Sequence, residues 1–131
     1  GGLVQRMPLY ATVFMIFMLG SVGLPGTSGF IGEFLVIVGA FKLSSYVVVG
    51  AAFGIILSAV YMLYLYKRII FGEITNVKLT EIFDINTREK LILIPLAISV
   101  IIMGIFPNLF LDPMRMSIEL IITNYEIANA K

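Results

Sequence analysis

A helix-breaking stretch, Gly23-Leu24-Pro25-Gly26-Thr27-Ser28-Gly29, interrupts an apolar segment that runs from Leu9 to Phe41. As one straight helix this segment would be about 50 Å long, whereas the hydrocarbon core of a bilayer is about 30 Å thick. Proline removes a backbone donor, and glycine weakens the helix around it. The pattern predicts two half-helices, Leu9–Leu24 and Phe30–Phe41, joined by an unwound turn near residues 25–29; the alternative is a simple proline kink.

The composition is typical of a membrane protein. Hydrophobic residues make up 60% of the 131 residues, charged residues make up 13%, and the mean hydropathy is +1.04. A soluble domain carries about 25% charged residues. The absence of Cys and His excludes disulfides, cysteine-bound iron–sulfur clusters and histidine-bound haem from this chain. We expect no metal and no cofactor in it, and the net charge of +1 indicates no nucleic-acid partner.

Two further crossing helices are predicted downstream of the break. Residues 46–66 are uncharged and long enough to span a bilayer, and the interfacial cations Lys67 and Arg68 follow directly. Residues 87–106 form the next span, preceded by Asn86 as a helix cap within a capping-box pattern.

The C-terminal region is predicted to lie along the membrane surface. Residues 113–127 follow an Asp112-Pro113 cap and have an apolar face opposite charged side chains, which indicates an amphipathic interfacial helix. The mixed segment 71–85 predicts a short surface connection. The expected fold is an all-α integral membrane domain over residues 1–131, with one discontinuous transmembrane helix, two further transmembrane helices and a C-terminal amphipathic helix. Because the chain opens with Gly1-Gly2 and has no signal-peptide pattern, we expect an internal or C-terminal piece.

The distribution of cations predicts an orientation. The connection from Lys67 to Lys90 carries five Lys and Arg residues, whereas the connection 42–45 carries one. Cytoplasmic or matrix loops are enriched in such cations, so we expect the long connection on that side. This holds if the broken segment crosses the membrane once; a re-entrant hairpin would place both of its ends on the same side.

Glu33 is the candidate functional residue. It is the only acid before Lys67, and it lies about one turn past the break. An ionisable group at the centre of a bilayer costs on the order of 3 kcal/mol, so it needs a partner, a proton or water. A carboxyl group balanced between burial and nearby cations can take up and release a proton. The alternative is a structural acid that snorkels to the interface or binds backbone.

Other polar groups could belong to the same path. Backbone unwound at membrane depth must line a cavity or be buried in protein, which suggests a water path along the break, at Pro25, Gly26, Thr27, Ser28 and Gly29. A polar face on the second predicted helix could extend this path; its members are Ser58, Tyr61, Tyr64 and Arg68. The alternative for this face is interfacial anchoring or helix packing.

Four collinear stretches resemble the antiporter-like membrane subunits of respiratory complex I. They are SVGLPGTSGFIGEFLVIVGAF at 21–41, SAVYMLYLYKRIIFGE at 58–73, NTREKLILIPL at 86–96 and MGIFPNLFLDPM at 103–114. Most relatives have lysine at the end of a GFxGK-like motif, where this chain has Glu33. A glutamate at this position is similar to one branch of the family.

The resemblance implies a fourteen-helix subunit built from two inverted five-helix repeats, each with a broken helix. This chain would carry the second broken helix, with Glu33 in the half-channel that leads to the positive side of the membrane. The family's other membrane acid and its central lysines would lie upstream. NADH, FMN, iron–sulfur clusters and quinone are implied in partner subunits, and the implied partners are the other membrane subunits of complex I and the lipid bilayer.

Three functional hypotheses follow. The first is a proton-translocating subunit of NADH:quinone oxidoreductase, in a bacterial plasma membrane or, alternatively, the mitochondrial inner membrane. The second is the equivalent subunit of a cation/proton antiporter or membrane-bound hydrogenase. The third is a non-catalytic scaffold in which Glu33 is paired structurally.

Overall fold

Five α-helices and two short 3-10 helices are present in the computed structural model, which describes residues 1–42 and 44–129. No β-strand occurs in these ranges. Residues 43, 130 and 131 of the predicted domain lie outside the described residues. The α-helices are α1 (Pro8–Val22), α2 (Ser28–Phe41), α3 (Ser45–Ile70), α4 (Thr87–Ile105) and α5 (Asn108–Asn129), and the 3-10 helices are Leu3–Gln5 and Val77–Glu81.

The two half-helices α1 and α2 pack along α3 in succession. Ala11 and Met18 of α1 form a buried cluster with Tyr66 and Ile70 near the end of α3, and the Tyr66 hydroxyl donates a hydrogen bond to the Ala11 carbonyl at 3.0 Å. Residues 32, 33, 36 and 37 of α2 line a groove with earlier residues of α3. The N-terminal half of the broken segment therefore meets the end of α3, and the C-terminal half meets its middle.

Helix α4 runs beside α1, and its end packs against the break and the beginning of α2. Asp84, just before α4, contacts the first turn of α1, and the Val100 side chain lies beside Gly20 near the end of α1. Gly104 then reaches the unwound backbone. Beyond it the helix axis turns by 67° into α5.

By length and composition, α3 is the one described helix that could cross a membrane alone. Helices α4 and α5 satisfy the same criteria only as a bent pair, and α1 and α2 are shorter apolar helices. Each half of the broken segment, at 15 and 14 residues, is about 22 Å long and falls short of the hydrocarbon thickness.

The break lies two residues earlier than the sequence suggests. Residues 23–27 are unwound, so Leu24 lies outside α1, and Ser28 and Gly29 lie inside α2. The reason is Gly23, whose φ of +77° is a left-handed conformation that ends α1 before Pro25 is reached.

Helix α3 extends four residues past its predicted end. Lys67 and Arg68 lie in its last turn rather than beyond it. Tyr66 and Ile70 are both buried against α1, and this packing holds the last turn in place. Helix α4 ends at Ile105, one residue before the predicted 106, and begins with the predicted capping box: Asn86 accepts from the Glu89 N–H, and Glu89 accepts from the Asn86 N–H.

The predicted start of the last helix is wrong. Helix α5 begins at Asn108, and Pro113 lies inside it. The Pro107 carbonyl accepts the N–H groups of Phe110 and Leu111, so the helix begins directly after Pro107. Asp112, the predicted cap, instead pairs with Arg115 on the surface at 3.4 Å.

A carboxylate from a distant loop caps α1. Met7 provides no side-chain cap, and instead the Asp84 carboxylate accepts the N–H groups of Leu9 at 2.8 Å and Tyr10 at 3.1 Å. It also accepts the N–H of Ile85 at 2.8 Å. These two α1 positions are the ones that a local cap residue would satisfy. Asp84 therefore ties the α3–α4 connection to the start of the broken segment.

The ionised form of Asp84 is favoured in the folded protein. Burial by itself raises the pKa of this carboxyl group, but the three backbone donors and the nearby charge of Lys90 outweigh it and hold the pKa below its ordinary value. Because the folded-state pKa is lowered, the stabilisation is present above the unfolded pKa and is lost as the pH falls through the folded pKa.

We expect Asp84→Ala to lower the free energy of unfolding by about 1 kcal/mol, the usual contribution of a helix cap. The measurement is thermal unfolding of the full-length subunit in detergent. The difference from wild type should be present at pH 7 and should shrink below about pH 4. The matched control is Glu81→Ala, since Glu81 is an exposed acid in the same connection. An equal loss of unfolding free energy in both variants would contradict the capping of α1 by Asp84.

Candidate functional site

The break is held together by its own hydrogen bonds. At the end of α1 the Leu24 N–H reaches the Leu19 carbonyl at 3.0 Å and the Gly23 N–H reaches the Gly20 carbonyl at 3.3 Å, the paired bonds of a Schellman motif. The N–H and hydroxyl of Thr27 then both donate to the Leu24 carbonyl, at 3.0 and 2.6 Å. The unwound turn is therefore an ordered structure.

Two glycines outside the unwound turn allow close backbone contacts around it. A Cβ on Gly29 would collide with the Gly20 carbonyl oxygen, so this glycine lets α2 begin against the last turn of α1. A Cβ on Gly104 would collide with the Gly26 carbonyl group and the Thr27 Cα. Helix α4 therefore approaches the unwound turn at backbone distance, α1 and α2 approach each other across it, and Thr27 is buried there.

Glu33 points back towards this turn. Side chains on a helix lean towards its N-terminus, so Glu33 on α2 reaches over the preceding turn. Its carboxyl group lies directly over Gly23, where a Cβ would meet the Glu33 Cδ at 2.9 Å. Only a glycine leaves room for the acid at this point. Among the described residues, Glu33 has no salt bridge and no hydrogen-bond partner.

A groove of about 400 Å³ opens beside Glu33, between α2 and α3. Its lining includes Gly32 and Glu33 from α2 and Gly54 and Ser58 from α3. The glycines keep the groove wide, and Ser58 supplies a hydroxyl group facing the same space. A half-buried carboxyl group, a hydroxyl and room for water can together accept and pass on a proton.

The remaining predicted site residues separate into groups. Pro25 and Gly26 are exposed, and Ser28 lines a smaller groove of about 200 Å³ with the start of α5. On α3, Tyr64 and Arg68 line a different groove from Glu33, and Tyr61 lines neither. The structure therefore brings only Ser58 of the predicted polar face to Glu33, and a longer path stays a prediction. Within residues 1–42 and 44–129, no group of three acidic side chains is placed to hold a metal ion.

Sequence reasoning missed Gly104 and Asp84. A glycine inside an apolar helix costs about 1 kcal/mol relative to alanine, which is a signal that Gly104 has a packing role. The partner of that packing could not be read from the chain, because residues 26 and 104 are far apart in sequence. Asp84 carries no local signal of its capping role, since the donors in α1, Leu9 and Tyr10, lie 75 and 74 residues earlier.

Known proteins resemble this chain over most of its length. A family model described as NADH:quinone oxidoreductase/Mrp antiporter, transmembrane, matches residues 1–59. NADH-quinone oxidoreductase subunit M of Rhodobacter capsulatus is 47% identical over 125 residues, which are 95% of this chain and 24% of that protein. NADH-ubiquinone oxidoreductase chain 4 of Marchantia polymorpha is 47% identical over 119 residues, which are 91% and 24% of the two chains.

A solved structure agrees with the sequence relatives. A chain of respiratory complex I from Thermus thermophilus with bound NADH matches with a TM-score of 0.76 and 34% identity, covering 83% of this chain and 22% of that chain. Over most of its length this chain is therefore similar to membrane subunits of respiratory complex I. It spans about a quarter of the length of the curated relatives it matches. The broken helix and Glu33 both lie in the part that these homologues share.

We expect Gly104→Ala to destabilise the break. The added methyl group meets backbone rather than a flexible side chain, and overpacking of this kind costs about 1–3 kcal/mol. Thermal unfolding of the full-length subunit in detergent measures the effect. Gly39→Ala is the matched control, because a Cβ there meets nothing within 4 Å, and it should be neutral or stabilising. Wild-type stability for Gly104→Ala would contradict the close approach.

Proposed function

We propose that this chain is part of a proton-translocating membrane subunit of respiratory NADH:quinone oxidoreductase, and that Glu33 is its proton-relay residue. The observation that carries the proposal is the position of the Glu33 carboxyl group, which lies over the unwound backbone at Gly23 without a counter-ion in the described structure. An acid in this setting inside a bilayer is a functional candidate by default.

Two helix ends of opposite partial charge lie beside Glu33. The carbonyl end of α1 carries partial negative charge, and the amino end of α2 carries partial positive charge. The break brings these two helix ends together beside one carboxyl group. The groove beside Ser58 has room for water next to the acid, and the Thr27 hydroxyl, which donates to the Leu24 carbonyl, keeps its lone pairs as acceptors.

Glu33 would act as the outward step of a relay. NADH oxidation and quinone reduction take place in partner subunits, and the resulting change in charge on upstream lysines drives a proton towards Glu33. Glu33 then releases that proton to the positive side of the membrane. NADH, FMN, iron–sulfur clusters and quinone belong to those partners, and other complex I membrane subunits surround this chain in the lipid bilayer.

The proposed topology has three crossings and an interfacial helix. The crossings are α1 with α2, α3, and α4. A single crossing of the broken segment is supported by the way α1 and α2 follow α3 in succession, since a re-entrant hairpin would return α2 to the end where α1 begins. The 67° turn after α4 suits an α5 that lies along the membrane surface. The cation-rich α3–α4 connection faces the cytoplasm of a bacterium or the mitochondrial matrix.

A cation/proton antiporter subunit is the second candidate. It is favoured by the description of the matching family, which names both oxidoreductase and antiporter. The glutamate at position 33 favours complex I, because the sequence resemblance implies lysine there in most other branches of the family. Purification of the full complex in mild detergent distinguishes the two: co-purification with an NADH-oxidising, FMN-containing arm supports the first candidate, and a complex without flavin supports the second.

We expect Glu33→Gln to reduce proton translocation several-fold while the subunit still assembles, because the amide retains the shape of the side chain but cannot exchange a proton. Proton uptake is measured as the quench of a pH-sensitive dye in vesicles energised with NADH, alongside quinone reduction. Glu73→Gln is the control, since Glu73 is an exposed acid after α3.

Two outcomes would reject the role of Glu33. Unchanged pumping per NADH oxidised in Glu33→Gln would remove the acid from the path. Full pumping in a normally assembled Glu33→Ala complex would favour the structural scaffold. Glu33→Asp tests geometry, because the shorter acid retracts from Gly23, and it should recover only part of the wild-type rate.

A further inference from the structure

A second groove, of about 390 Å³, lies at the end of α3 and is separate from Glu33. Its lining is Tyr64, Lys67, Arg68, Phe71 and Gly72. Both cations are exposed, and neither forms a salt bridge within residues 1–42 and 44–129. Two unneutralised cations beside aromatic side chains form a surface that suits an anionic ligand.

The floor of this groove is fixed by the rest of the fold. The Phe71 ring packs edge-on against buried Tyr66 with ring centroids 5.7 Å apart. The Phe71 carbonyl accepts the Gly2 N–H at 3.0 Å, and the Gly72 carbonyl accepts the Gln5 side-chain amide at 3.4 Å. These contacts fix the end of α3, so the backbone that carries Lys67 and Arg68 is held in one position.

An exposed apolar stripe leads away from the groove along α3. Its members follow a helical spacing of four, three and four residues, and they are Phe53, Leu57, Val60 and Tyr64, with exposed fractions of 61%, 64%, 61% and 64%. The stripe is about 17 Å long, close to half of the 30 Å hydrocarbon thickness. One leaflet's acyl chain would therefore cover it from end to end. A free phosphate ion has no apolar part that could contact such a stripe.

We propose that this groove binds the phosphate head group of an anionic phospholipid, whose acyl chain lies along the stripe. The groove adjoins the cation-rich α3–α4 connection, on the membrane side where anionic lipids give the surface a negative potential. Lys67 and Arg68 flank the phosphate, and the Tyr64 hydroxyl is a further donor near it. The proposal does not depend on proton transfer by Glu33.

The experiment uses the intact complex, delipidated and reconstituted into phosphatidylcholine nanodiscs. A minor fraction of phosphatidylglycerol with a photoactivatable group in its acyl chain is included, and labelled peptides are mapped by mass spectrometry. We expect labelling of the segment 53–60 in the wild-type complex. Each cation near the membrane surface contributes about fivefold in affinity, so Lys67→Gln with Arg68→Gln should reduce labelling about 25-fold at subsaturating lipid.

The control removes the same charge from the same side of the membrane. Lys78→Gln with Arg88→Gln changes two exposed cations outside the groove and should leave labelling unchanged. A phosphatidylcholine probe with the same photoactivatable chain should label the segment much more weakly.

Several results would overturn the proposal. Absence of label on 53–60 in the wild-type complex would mean that protein covers the stripe. Equal labelling by the two lipid probes would indicate contact with the acyl chain alone. Loss of label on addition of inorganic phosphate, at constant ionic strength, would assign the groove to the free ion. Equal losses in the two double variants would indicate general surface charge.

Discussion

The contact between Gly104 and the backbone of Gly26 and Thr27 is the constraint on which the rest of the site depends. Unwound backbone inside a bilayer has polar groups that lipid cannot satisfy, so it must be enclosed by protein. A helix with a side chain at position 104 would be held away from the turn. The glycine lets α4 approach at backbone distance, and the Leu24 carbonyl, accepting both donors of Thr27, satisfies part of the turn internally.

The position of Glu33 depends indirectly on this arrangement. Its carboxyl group lies over Gly23, the residue that ends α1 in a left-handed conformation. The same glycine therefore ends one helix and leaves space for the acid of the next. The position of the acid follows from the lean of helical side chains towards the N-terminus, combined with a break of only five residues.

The opposite end of the broken segment is held by different chemistry. Asp84 reaches the first turn of α1 from the connection before α4, and the N-terminal residues bind the end of α3 at Phe71 and Gly72. These contacts bring one end of α1, the end of α3 and the start of α4 to the same side. The contacts that fix the start of α1 therefore also fix the end of α3, where Lys67 and Arg68 line the cationic groove.

The sequence by itself determined the helical class, the existence of the break and the identity of the singular acid. These are local properties: a cluster of proline and glycine weakens a helix, and a single acid in an apolar segment can be recognised from the sequence alone. It also determined the capping box before α4, because the two partners are three residues apart. The start of α5 was predicted wrongly, since Asp112-Pro113 resembles a cap whereas Pro107 provides the first hydrogen bonds.

Only the tertiary structure decided which distant groups meet. Gly104 against Gly26, Asp84 against Leu9, and Ser58 beside Glu33 each join residues that are well separated in the chain. It also placed Ser58 of the predicted polar face in one groove and Tyr64 and Arg68 in another. Helical spacing places side chains on a face, but the neighbour that each part of the face meets depends on how the helices pack. Such contacts arise from packing and long-range hydrogen bonds, which leave no pattern in the local sequence.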